Sequence, residues 1–403
     1  MIESSIDFIC ILPELSMLIL VNAYLLFALC FSNYHLKIAN SMGDLRIGYQ
    51  ITPRQISLPL SGLVVLSLIF SIYLIINCPI ENSIILNTSF ICDPVVWCAK
   101  VLLIISSAAA LLLCHDTIQR FSSYEFVILL YLAILSMLCL ISSHNFLSFY
   151  LCIELQSLCF YMLAGMRSRS EFSTEASLKY FILGAFSSAI LLLGISLIYG
   201  ITVSIYYADV SAFFFHFDYE KDGESLMVCL FIALTCITTS LLFKLGAAPF
   251  HTWVADVYEG SPIYITAFFA ICAKIAVLTL LTRLTFLFQS DMLMIYLAIA
   301  SGFSLLIGSL SAMRQTKIKR LLALSGVANV GWFLLALACG QWQVTFIHLM
   351  VYIFLSITLF SIFVTPLFRS HPNLGYLLHS EKSHGITDHG ADNNTIKIGR
   401  AHV

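Results

Sequence analysis

Residues 241–274 read LLFKLGAAPFHTWVADVYEGSPIYITAFFAICAK. Lys244 and Lys274 stand in sequence otherwise apolar enough for a membrane interior, and Gly246-Ala247-Ala248-Pro249 interrupts it between them. A charge near the bilayer centre costs at least a few kcal/mol, so it is expected only where it faces protein or water. Pro249 has no N–H to donate and its ring crowds the carbonyl four residues back, which predicts a helix break in mid-membrane. Broken helices beside charges mark ion sites and transport paths. The stretch therefore points to an all-α polytopic membrane protein built around buried charge.

Composition outside the stretch agrees. The chain is 60% hydrophobic and 10% charged, with a mean hydropathy of +0.95, whereas soluble domains carry about 25% charged residues. A net charge of −2 gives no reason to expect a nucleic-acid partner. The 13 cysteines are scattered, mostly in apolar runs, and form no CxxC. They read as small buried hydrophobes, so no metal site is expected. No GxGxxG, GxxxxGK[ST] or haem motif occurs, so no cofactor is expected on this chain.

A spanning helix needs about 20 apolar residues. About eleven segments qualify: 10–31, 57–77, 94–114, 125–143, 144–165, 178–203, 226–254 (broken), 263–284, 292–312, 320–338 and 342–367. Basic residues concentrate in the odd-numbered loops, at Lys37, Arg46 and Arg54, at Arg167 and Arg169, and at Arg314, Lys317, Lys319 and Arg320. The positive-inside rule then places the odd loops on the cytoplasmic or matrix side and the N-terminus opposite.

Three buried ionisable groups form the candidate site. Glu154 lies midway along its span with Tyr150, Ser157 and Tyr161 on the same helical face. A carboxylate in hydrocarbon must protonate or find a cation. Lys244 shares its helical face with Ser240, Ala248 and His251, the last a candidate proton carrier. Lys274 is flanked by Ala270 and Val277, so it needs polar company from another helix. Lys100 is placed to snorkel and Glu14 to sit at the interface, while His348 reads equally as a core histidine or a proton carrier. Such a set supports Coulomb coupling between successive protonation steps, the physics of a proton pathway.

The runs LCIELQSLCFYMLAG (151–165), SEFSTEASLKYFILGAFSSAILLLGISLIYG (170–200), FKLGAAPFHTWVADVYEGSP (243–262) and KIKRLLALSGVANVGW (317–332) carry a family likeness. They closely resemble the subunit 2 family of mitochondrial NADH:ubiquinone oxidoreductase, the antiporter-like, proton-translocating subunits of respiratory complex I. The likeness is plainest from 145 to 335. It implies an inverted-repeat bundle: N-terminal helices over 1–124, a first repeat over 125–284, a partial second repeat over 285–369 and a polar tail over 370–403, disordered or artefactual. It also implies an essential glutamate at Glu154 and pathway lysines at Lys244 and Lys274, with Pro249 at the break. NADH, FMN, iron–sulfur clusters and ubiquinone are expected on partner subunits of the membrane-bound complex, in the mitochondrial inner membrane, with the N-terminus on the intermembrane-space side. The family's twelfth to fourteenth helices have no counterpart here, so an incomplete or split subunit is expected. A sodium/proton antiporter subunit shares the trio without redox partners, and a structural membrane scaffold is the third reading.

Overall fold

The computed structural model describes residues 2–41, 53–78, 83–86, 88–121, 124–167, 170–215, 224–288 and 290–364. The polar tail 370–403 and residues 42–52 of the first loop, with Arg46, lie outside them.

Among the described residues, eleven helices are long and apolar enough to cross a membrane, matching the number expected. In chain order they are α1 (Ile2–Ser41), α2 (Pro53–Ile76), α3 (Pro94–Phe121), α4 (Tyr124–Ser142), α5 (Phe146–Ala164) and α6 (Glu171–Thr202), then, after the short α7 (Tyr207–Phe215), α8 (Glu224–Leu245). The short α9 (Thr252–Gly260) follows the break, and α10 (Ile263–Leu287), α11 (Asp291–Met313), α12 (Ile318–Ala338) and α13 (Trp342–Val364) complete the bundle. A small antiparallel hairpin, β1 (Ser83–Ile85) with β2 (Phe90–Cys92), closes the loop before α3. Every backbone group in lipid must be satisfied internally, which is why the spanning elements are all helical.

Burial ranks the helices. In α10, 89% of the apolar window is buried, against 28% in α6 and α13. α10 is thus the central post, packed on α3, α4 and α13, while α6 packs against α8 and α11 against α12. The outward faces of α6 and α13 show Phe172, Phe181, Phe186, Ile347 and Phe354; a lipid solvent makes such exposure cheap.

Close helix approach depends on small residues. A Cβ on Gly308 would stand 2.7 Å from the Ala328 backbone nitrogen, and one on Gly331 would stand 2.6 Å from Ser304 Oγ. The α11–α12 contact is therefore built on small residues, as expected where lipid supplies no hydrophobic drive for association.

Candidate functional site

The break after α8 is real, but its cause differs from the expectation. α8 ends at Leu245, before Pro249. Gly246 takes φ 74°, its N–H donates to Phe243 O, and Ala247 N–H donates to Leu242 O, each at 2.9 Å. These two bonds with a left-handed glycine are a Schellman termination. Trp253 Nε1 returns from α9 to give Phe243 O a second donor at 3.1 Å, adding to the bonds that satisfy the helix end. Gly246 stops the helix, and Pro249 sits in the connecting turn.

The ending also corrects the face assigned to Lys244. Ala248 and His251 lie beyond the helix, so helical spacing does not align them with Lys244. His251 stands half-buried at the start of α9 and is not among the residues lining the cavity between the lysines. Lys244 itself occupies the last turn of α8, where the helix dipole favours a cation.

Glu154 of α5 faces it. Glu154 Oε1 lies 3.6 Å from Lys244 Nζ, with the side chains 24% and 10% exposed. The separation suits an ion pair but exceeds a hydrogen bond, and neither atom has a hydrogen-bond partner among the described residues. The polar stripe expected beside Glu154 serves other ends. Ser157 Oγ donates to the Glu154 main-chain carbonyl at 2.9 Å, and Tyr161 packs edge-on against Tyr180 at 4.8 Å between ring centres.

Lys274 is buried and does find polar company. Its Nζ donates to Gly326 O of α12 at 3.2 Å and to Tyr352 Oη of α13 at 2.7 Å. The Tyr352 hydroxyl donates in turn to Ala270 O at 3.3 Å, and the ammonium lies 4.3 Å from the centre of the Tyr352 ring, within cation–π range. A Cβ on Gly326 would come within 3.1 Å of Nζ, so the absence of a side chain there admits the lysine. Tyr352 and Gly326 carried no signal in the sequence reading.

One cavity joins the two lysines. Lys244 and Lys274 both line it, with Tyr258 and Gly326. Two of its aromatic lining residues are stacked: Tyr180 lies 4.6 Å from Trp253, nearly parallel. The structure therefore brings all three expected ionisable residues together, Glu154 through the ion pair and Lys274 through the shared cavity.

An ion-pair network ties α9 to its neighbours. Glu259 pairs with Lys317 and Arg320 of the α12 end, Asp256 pairs with Arg320 at 2.9 Å, and Lys179 of α6 reaches Asp256 at 3.4 Å. Lys319 Nζ donates to Ser261 O at 3.0 Å.

Two weaker expectations are corrected. Glu14 and Lys100 turn inward to each other instead of outward; they form a salt bridge with side chains 8% and 4% exposed. The lysine turns inward because α1 supplies a carboxylate within reach, and pairing offsets part of the desolvation cost. His348 is half-buried against Phe333, 4.9 Å between ring centres.

Residues 143–376 match the family described as NADH:quinone oxidoreductase/Mrp antiporter, transmembrane. The NADH-ubiquinone oxidoreductase chain 2 of Marchantia polymorpha is 38% identical over 307 residues, 74% of this chain and 62% of that protein. The NADH-quinone oxidoreductase subunit N of Bartonella bacilliformis is 38% identical over 298 residues, 70% of this chain and 59% of that protein. This chain thus spans about three-fifths of the length of these relatives. Among solved structures, a chain of respiratory complex I from Thermus thermophilus with bound aureothin superposes with a TM-score of 0.66 at 26% identity, covering 88% of this chain and 76% of that one.

Proposed function

From its membership in the NADH:quinone oxidoreductase/Mrp antiporter transmembrane family, to which this chain belongs, we propose that it is a proton-translocating membrane-arm subunit of respiratory complex I. The observation that carries the reading is the ion pair of Glu154 with Lys244 at 3.6 Å, beside a cavity that also reaches Lys274. Unit charges at that separation attract by about 5 kcal/mol at an effective dielectric of about 20. Protonating Glu154 removes that attraction and frees the Lys244 ammonium to give its proton across the cavity to a neutral Lys274 amine. Gly326 O and Tyr352 Oη are placed to hold the ammonium that forms. The family's electron carriers, NADH, FMN, iron–sulfur clusters and ubiquinone, belong to partner subunits in this reading. This chain's residues bind and pass protons only.

The proposed location is the mitochondrial inner membrane, in line with the chain 2 relative. The odd loops face the matrix and the N-terminus faces the intermembrane space, from the asymmetry of basic residues. The helices from α4 to α10 form the first repeat and those from α11 the start of the second.

A native gel of solubilised membranes tests the assignment. The chain should co-migrate with NADH dehydrogenase activity in a large assembly. Migration apart from that activity would favour a separate antiporter, and the relatives named chain 2 and subunit N argue for the first outcome.

A further inference from the structure

A second buried ionisable pair lies outside the trio. Glu14 of α1 meets Lys100 of α3 in a salt bridge, and Ser142 Oγ at the end of α4 donates to Glu14 Oε1 at 3.3 Å. Glu14 Oε2 is buried with no hydrogen-bond partner among the described residues. A cavity of about 130 Å³ is lined by both charged side chains, large enough for several waters. Lys100 is about 9 Å along α3 from its start at Pro94, at about 1.5 Å per residue.

The cavities continue toward the surface. A smaller one shares Cys10, Cys92 and Lys100 with the first and reaches Asp93. A third, of about 410 Å³, shares Asp93 and Val96 with the second and adds His144, Arg283 and Trp342. There Arg283 pairs with Asp93 at 3.3 Å and donates to Ser143 O at 2.8 Å. Residues 142 and 143 thus bond the inner pair and the outer pair in turn. All of this lies at the end of the bundle that carries the even-numbered loops.

We propose that Glu14 and Lys100 form a second proton-exchanging site that opens to the even-loop face through Asp93, Arg283 and His144. The proposal rests on the proton-translocation reading and adds a second site to it. A structural pair alone leaves two features idle, the free carboxylate oxygen and the chain of cavities. Buried pairs are poor stabilisers compared with apolar residues of the same volume, and ionisable groups within a membrane are by default functional. A proton reaching Glu14 Oε2 converts the carboxylate to the acid and dissolves the pair. The Lys100 ammonium, now without a counter-ion, releases its proton toward Asp93. Glu14 then passes its proton to the neutral amine and the pair is restored, one proton having entered and one left. The titratable groups facing the pair are Cys10 of α1, Cys78 beyond α2, Cys92 and Asp93 before α3, and Cys139 of α4.

The test uses the assembled complex carrying Glu14→Gln, Lys100→Met or both, with Glu154→Gln in parallel. Protons moved per NADH are measured together with the carboxylic-acid C=O band in infrared difference spectra taken across a pH series. The expected result is loss of one pH-dependent carboxyl band in Glu14→Gln, with fewer protons moved per NADH. The double variant removes both charges, so it assembles even where a single variant leaves an unpaired buried ion, and it should show the same losses. An unchanged band and an unchanged proton yield in Glu14→Gln and the double variant, while Glu154→Gln stops pumping, would overturn the second site alone. Unchanged pumping in every variant would overturn the translocation reading itself.

Discussion

Lys274 Nζ and Tyr352 Oη lie 2.7 Å apart although 78 positions separate them in the chain. The central helix therefore receives the polar partner of its lysine from α13. Tyr352→Phe keeps the ring over the ammonium and removes only the hydroxyl. A hydrogen bond to a charged group contributes about 1.5–3 kcal/mol, so proton-coupled quinone reduction should fall on the order of tenfold with assembly intact. Gly326→Ala, which would place a Cβ 3.1 Å from Nζ, should act in the same direction. Proton pumping by reconstituted complex is the measurement, and full pumping in Tyr352→Phe would remove Tyr352 from the path.

Glu154→Gln preserves volume and most hydrogen bonding but cannot titrate. It should assemble and lose most proton-coupled activity, while Glu154→Asp, with the carboxylate withdrawn further from Lys244 than 3.6 Å, should retain part of it. Pumping equal to the parent in Glu154→Gln would refute a protonation role.

The Schellman ending gives a stability prediction. In Gly246→Ala the new Cβ would meet Val254 Cγ2 at 2.6 Å, on a backbone held at φ 74°, and a side chain at such a φ costs about 1–3 kcal/mol. The variant should lower the unfolding temperature in detergent and reduce the assembled amount. Gly62→Ala in α2, whose Cβ would meet nothing within 4 Å, is the control and should change neither.

His144, between α4 and α5, is held below its ordinary value of 6.5 by burial first and by the nearby Arg283 second, with Asp93 opposing. A histidine whose folded pKa is depressed takes up its proton more readily in the unfolded chain. Stability should therefore decline as pH falls through about 6.5 and level off only below the folded value. His144→Asn should flatten that limb of the melting temperature against pH. A slope equal to the parent's would show that another group sets it.

The ion-pair network around α9 is predicted to matter little singly. Glu259→Gln removes partners of Lys317 and Arg320, yet half-exposed pairs contribute only about 0–1 kcal/mol each. A melting shift of a degree or two, diminishing at high salt, is expected; a collapse of assembly would mean that the network fixes α9 in place.

The sequence by itself determined the class, the eleven spans, the break after Lys244 and the three buried charges. These are local properties: an apolar run of sufficient length must cross, a glycine and a proline interrupt, and a charge in such a run is visible wherever it points. The family likeness was equally legible, because its motifs are contiguous. The tertiary structure decided who faces whom. Helices apolar on all sides carry no directional signal, so nothing in the sequence marked Tyr352 and Gly326 as the partners of Lys274, or set Glu14 against Lys100. Those pairings follow from helix rotation and close approach, settled by packing around small residues such as Gly326 and Gly331. Even the agent of the break was misassigned from sequence: Pro249 has the stronger local rule, but Gly246 lies three residues nearer to Leu245, and its left-handed backbone ends α8 before the proline is reached.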